Sequence, residues 1–401
     1  MMKVKARYSK IGLYLGLFII AFYLSYLSYH HQFYKILEPS NQQPAELADI
    51  KVSAQSKYDG YIHFEASNIF LAGGLFQRGN YAMRLNRKTL EIETYKRFEA
   101  FGMGFERENK HIYSFYNYPT EIWQENPYNR VPFATGNYVL LNGNLGYLGQ
   151  ITDDRGIDNH SLTILENGNY LYMVDDKRPV YSDPSISCIP ECYLLGQSIV
   201  EVTPSGETIF QFDLLDHYTR SDFVMDDIFL QDGKILYDVT HANSAELTAD
   251  NAILISVRHQ NEVIKASRET GQIVWRLGGH YSNFKFEGDS LNGFSHQHNP
   301  TQLDNGNILL FDNGNDRPGS RAVEYELDIE QGVARLVWQY SISPEFSPNR
   351  GSAQRLYNGN TLINFVNRIP NILEVSPGGK ILLEISLPEN YASYQAQYVR
   401  N

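Results

Sequence analysis

Two histidines of this chain recur at one register ahead of a strand-like run. In DNHSLTILENGNYLYMVDD, His160 precedes Asn167 by seven positions; in FSHQHNPTQLDNGNILLFDNGND, His298 precedes Asn305 by the same seven. Each Asn-Gly-Asn is a turn signal in front of an apolar run. A histidine that repeats at one register suggests that several structural units aim side chains at a shared centre. Neutral imidazole, with an unperturbed pKa of about 6.5, is suited to nucleophilic attack and to proton transfer. The cluster therefore marks a nucleophile-capable candidate active site.

Two further segments, AELTADNAILISV and QRLYNGNTLINF, share the layout. In the first of these the turn reads Ala249-Asp250-Asn251. Matching its strand at 253–255 puts Asn243 in the histidine slot and His241 two residues earlier. His296 stands two before His298 in the same way, and Gly351, followed by Ser352, fills the slot in the last copy. Residues i and i+2 share a face of an extended segment. On that basis His241 with Asn243, and His296 with His298, are expected to face one cavity. Arg258 lies at the far end of the 253–255 strand, with His259 expected to point the opposite way. Asp312-Asn313-Gly314 reads as a turn. There is no phosphate-binding loop, dinucleotide fingerprint or His-Glu-x-x-His pattern, so neither a cofactor nor a metal is expected.

The elements that must position these side chains are short strands. A second segment type, such as SIVEVTPSGETIFQF, EVIKASRETGQIVWRL and NILEVSPGGKILLEI, follows several of the first and pairs two strands across a small turn. Together the two types make four-stranded units. The spacing is 57 residues from His241 to His298 and 54 from His298 to Ser352. Strands in fours at such a period predict an all-β fold, a β-propeller, with room for about six blades in residues 58–401. The longer gap of 81 residues from His160 to His241 implies an insertion holding the cysteine loop and the polar run near Asp213 to Asp227.

The formal net charge of -12 argues against a nucleic-acid partner, which would require basic clusters. Residues 11–29, IGLYLGLFIIAFYLSYLSY, form an uncharged run long enough to cross a bilayer as an N-terminal transmembrane helix, with a cleaved signal peptide as the alternative. Lys3, Lys5, Arg7 and Lys10 precede it. The positive-inside bias then predicts a cytoplasmic tail over residues 1–10 and a propeller outside the cytoplasm, periplasmic in a Gram-negative cell. Residues 30–57, with Pro39 and Pro44, read as a tether. Cys188 and Cys192 are the only cysteines, and in an exported domain they are expected to form a small-loop disulfide.

Taken in order, DNHSLTILENGN, DVTHANSAEL with ILISVRHQNEVIKASRETGQIVWRLGG, FSHQHNPTQLDNGNILLFDNGN and GSAQRLYNGNTLI resemble the bacterial arylsulfotransferase family. The resemblance implies a six-bladed propeller with an axial site. It assigns the nucleophile to His298, the other functional histidines to His160 and His241, the asparagine and arginine to Asn243 and Arg258, and a hydroxyl to Ser352. The implied partners are a small aryl sulfate donor and a phenolic acceptor.

That chemistry is consistent with the residue types. Sulfuryl transfer between phenols can run as two displacements through an N-sulfonated imidazole. A second histidine would move the phenol proton, while Arg258 and Asn243 would meet charge on the sulfuryl oxygens. The alternative is a propeller that binds glycans or envelope proteins through its loops.

Overall fold

The computed structural model describes residues 39–68, 80–98, 102–107, 112–117, 136–180, 191–223, 227–231, 233–317, 319–342, 346–366 and 370–400. The expected membrane span at 11–29 lies outside them. Among the described residues no helix is long and apolar enough to cross a membrane.

Six sheets make six blades. Their innermost strands are, in blade order, Ala396–Val399, Gly102–Arg107, Ile157–Ile164, Ala242–Leu247, His298–Gln302 and Ser352–Arg355. Each touches the next, and the last returns to the first, so they close a ring. The fold is the all-β six-bladed propeller expected from the period.

Sequence pattern follows depth in the blade. The second strands Ala252–Val257, Ile308–Asp312 and Thr361–Asn364 are buried along their whole length, because neighbouring blades cover both faces. Their sequences are accordingly near-continuous apolar runs, as in any strand covered on both sides. Farther out, Val333–Ser341 alternates between half-buried and exposed over most of its length.

The first-to-second strand turns are built alike. Leu165, Leu303 and Leu356 each receive a hydrogen bond from the glycine three residues on, and these glycines have φ of +86°, +86° and +83°. In the fourth blade Thr248 takes the leucine position, and Asn251, at φ +60°, takes the glycine position. Asparagine is a residue that tolerates this left-handed conformation. The equivalence settles the register: Asn243, like His160, His298 and Gly351, lies five residues before the turn-opening residue.

These turns also latch the blades together. The last asparagine of each Asn-Gly-Asn, at Asn169, Asn307 and Asn360, donates to a third-strand glutamate: Glu201, Glu324 and Glu374 respectively. Each glutamate is paired in turn with an arginine of the next blade, Arg268, Arg355 and Arg87. The fourth blade reverses the charge. There the equivalent third-strand residue is Lys265, bound to Asp250 of its own turn at 2.7 Å and to Gln302 of the fifth blade at 2.9 Å.

Two departures from the sequence reading concern the ends and the insertion. Residues 51–54, assigned above to the tether, form the strand Lys51–Ala54 on the outer edge of the sixth blade. Polar residues are compatible with an edge position, which is half exposed. The C-terminal Ala396–Val399 meanwhile forms the inner strand of the first blade, so both ends cross the closing seam. The extra length in the third blade is a hairpin, Ile228–Gln231 with Lys234–Asp238, added in parallel to the long strand Glu191–Val202. Cys192, on that strand, is disulfide-bonded; Cys188 lies outside the described residues.

Candidate active site

The structure brings His160, His241, His298 and Arg258 into one neighbourhood at the strand ends. The His160 and His241 rings are 5.2 Å apart. Tyr394, from the segment leading into the C-terminal strand, stands 6.2 Å from His160 and 6.2 Å from His298. Arg258 is close enough to act electrostatically on both His241 and His298.

Each of the three histidines has its Nδ1 held from behind. His160 Nδ1 is 2.7 Å from Asp158 Oδ1, and His241 Nδ1 is 2.6 Å from Asp238 Oδ2. A carboxylate accepts, so these contacts place the proton on Nδ1 and leave Nε2 as the working nitrogen. His298 Nδ1 is 2.7 Å from Asn313 Oδ1. The amide orientation is determined by its other bonds: Asn313 Nδ2 donates to the carbonyls of Ser347 and Arg350. The oxygen therefore faces His298, and Nδ1 carries the hydrogen. Nε2 carries no proton, and it accepts the backbone N–H of Arg350 at 3.1 Å.

Burial sets the charge state. It pushes the His298 imidazole well below the ordinary histidine value, with Arg258 adding to the effect against the hydrogen bond to Asn313. It does the same to His241, reinforced by Arg258 and His160. Both rings are thus neutral near pH 7, the form a nucleophile or base requires. Burial raises Asp238 to about 6, against the pull of His259 and His160.

Asn243 is buried, and its amide donates to the carbonyl of Gln297 at 2.8 Å, beside His298. Arg258 donates to the carbonyl of Pro348 at 3.3 Å. Ser352 accepts the N–H of Ala396 at 3.2 Å, a bond to the strand that closes the ring.

Three local readings change. Arg258–Gln260 is a 3-10 turn rather than a strand end, so alternation does not apply. His259, expected to point away, instead lies 4.5 Å ring to ring from His241. His241 and His296 occupy left-handed backbone, at φ +45° and +52°, so the extended two-residue rule does not place them. Asn313, read as a turn former, orients His298. Asp158 and Asp238, missed as site residues, were visible two and three positions before His160 and His241. Tyr394 and the Arg350 N–H had no such signal.

Comparison with known proteins gives a family and a fold. The family model described as Arylsulfotransferase (ASST) matches residues 141–387, well over half of the chain. No curated protein matches. Among solved structures, a protein of unknown function from Bacteroides caccae is 13% identical with a TM-score of 0.52, covering 86% of this chain and 100% of its own. A virginiamycin B lyase from Staphylococcus aureus, solved with quinupristin, is 10% identical with a TM-score of 0.42, covering 84% and 88%. At these identities the first likeness speaks for the fold alone.

Proposed function

This chain belongs to the arylsulfotransferase family, and from that premise we propose that it moves a sulfuryl group from an aryl sulfate to a phenolic acceptor through a sulfonated His298. The observation that carries the reading is the fixed tautomer of His298, with Asn313 on Nδ1 and an unprotonated Nε2.

In the first half-reaction the Nε2 lone pair attacks sulfur, an N–S bond forms, and the S–O(aryl) bond breaks. The electron pair leaves with the phenolate, whose charge Arg258 meets. In the second, the acceptor phenol gives its proton to Nε2 of His160 or His241, and its oxygen attacks sulfur. The N–S bond breaks with its pair returning to His298, and the imidazolium then gives its proton to water, which balances the proton that the first phenolate took up from water after leaving. Asp158 and Asp238 stabilise the imidazolium formed on the way. Arg258 and the second N–H of Asn243 answer the charge on the sulfuryl oxygens.

The reading includes location. Residues 11–29 anchor the chain in a membrane, and the propeller stands outside the cytoplasm.

The test is incubation of the purified protein with an aryl sulfate whose phenol is coloured. Phenol release that depends on an added phenolic acceptor, with the sulfate recovered on that acceptor, supports the proposal. No release with any phenol defeats it and leaves the binding-scaffold reading.

A further inference from the structure

The inserted hairpin of the third blade does more than seat Asp238 behind His241: it delivers a second carboxylate to the edge of the site. Asp227 and Asp238 flank it at its open end, where the Asp238 N–H bonds the Asp227 carbonyl at 2.9 Å. Opposite them stand His241 and His259. Asp227, Asp238, His241 and His259 each offer one ligand-type atom, and the four atoms lie within 4.8 Å of one another.

The decisive contact is between His259 and Asp227. His259 Nδ1 is 3.0 Å from the backbone carbonyl of Asp238. A carbonyl only accepts, so Nδ1 carries the hydrogen and Nε2 is left with its lone pair. That Nε2 is 3.6 Å from Asp227 Oδ2. Two acceptors therefore face each other beyond hydrogen-bond length. The separation is that of two ligands on one ion, since zinc bonds of about 2.0–2.2 Å put tetrahedral neighbours roughly 3.3–3.6 Å apart.

We propose that Asp227, Asp238, His241 and His259 form a binding site for a divalent transition-metal ion of the zinc type. Two imidazoles and two carboxylates are a borderline donor set that suits zinc over calcium or magnesium. Asp238 contributes in two ways: its carbonyl orients His259, and its carboxylate turns to the ion as His241 Nδ1 exchanges the hydrogen bond to it for a metal bond, the ring proton moving to Nε2. Support of this kind from behind a ligand is what fixes imidazole orientation at metal centres. Asp227, with a side chain 17% exposed, leaves a route in from solvent.

The site shares His241 with the proposed transfer chemistry. Under that reading a bound ion withdraws His241 from proton transfer, so zinc slows turnover. Metal retention does not depend on that reading, and the two can fail separately.

The experiment uses the full chain, stripped with chelator and dialysed. Zinc alone is titrated calorimetrically, and retained metal is counted after desalting. One equivalent per chain is expected. Asp227→Asn and His259→Gln should each weaken binding by more than the roughly 10- to 100-fold that loss of a supporting group costs. Cobalt(II) alone gives a second readout: the wild type should show the intense visible bands of a four-coordinate ion, and His259→Gln should lose them. Because Asp227→Asn conserves shape at a partly exposed position, its fold is checked by far-ultraviolet circular dichroism before titration. Failure of the wild type to retain zinc, equal retention in both variants, or a weak octahedral cobalt spectrum would each overturn the site.

Discussion

The backbone N–H of Arg350 lies 3.1 Å from Nε2 of His298, and Arg350 itself sits in left-handed backbone at φ +60°. The N–H occupies the lone pair that an electrophile needs. Once sulfur is bonded to Nε2, the same donor is placed to meet a sulfuryl oxygen. His298→Ala should therefore abolish both half-reactions and the acid-labile sulfonyl adduct. Peptide mapping after donor is added without acceptor checks this; an adduct on any other residue refutes the assignment.

Asn313 should matter nearly as much without touching the substrate. Asn313→Ala removes the acceptor that keeps the proton on Nδ1. By analogy with other active sites where an imidazole is released to the wrong tautomer, the rate should fall by roughly 10²–10⁴-fold. Donor half-reaction kinetics, read as a burst of coloured phenol, is the measurement. A burst unchanged in rate would show that Asn313 only closes a turn.

His160→Ala and His241→Ala should slow turnover by about 10²–10⁴-fold, the usual worth of acid–base help, and still yield adduct on His298. Loss of adduct in either variant would move the nucleophile's role.

Asp175 carries a pH signature of its own. Its side chain is 1% exposed, and burial raises its carboxyl to about 7 against the attraction of Lys177. Between the unfolded value near ~4 and about 7 the folded state holds the extra proton. Its contribution to stability is therefore complete below ~4 and is lost as pH rises through about 7. The limiting slope is about 1.4 kcal/mol per pH unit. Asp175→Asn should remove that slope, so the variant gains on the wild type from pH ~4 to ~7 and holds its lead above. Urea titrations at several pH values would show it; parallel curves would refute it.

The seam latch is testable by a double-mutant cycle. Arg87 and Glu374 are paired at 2.8 Å with both side chains at 0% exposure. Removing one partner of such a pair leaves a buried charge, so Arg87→Met should cost about 3–5 kcal/mol. Adding Glu374→Gln should restore part of it, because the glutamine oxygen can still accept from Asn360. Chemical denaturation gives both numbers, and additive losses would mean that the two residues do not interact.

Much of the axial arrangement was legible in the sequence because the repeat keeps its turn. A residue five positions before Leu165, Thr248, Leu303 or Leu356 must reach the same depth of its blade, whatever its type. The charge-reversed fourth blade obscured the alignment by one residue, and Asn251 in the glycine position resolves it. What escaped was the aim of side chains carried on backbone outside the strands, even where the residue itself, as at His241 and Arg258, was named as part of the site. His241, His296 and Arg350 adopt positive φ, and Arg258 and His259 sit in a 3-10 turn. No strand alternation reaches such positions. Tyr394 comes from the other end of the chain, where no local spacing could bring it to His160.

Of the described strands, Lys51–Ala54 is the first to be made and among the last to find its place. Lys51 pairs with Ser386, far along the chain in the sixth blade. At synthesis rates of about 5–20 residues per second, its partner is made roughly 20–70 seconds later. Through that interval the ring stands open, and the blades made during it have an uncovered flank. A chain built this way gains its final cooperativity only when Ala396–Val399 is in place, and any product ending before that strand carries an unsealed seam.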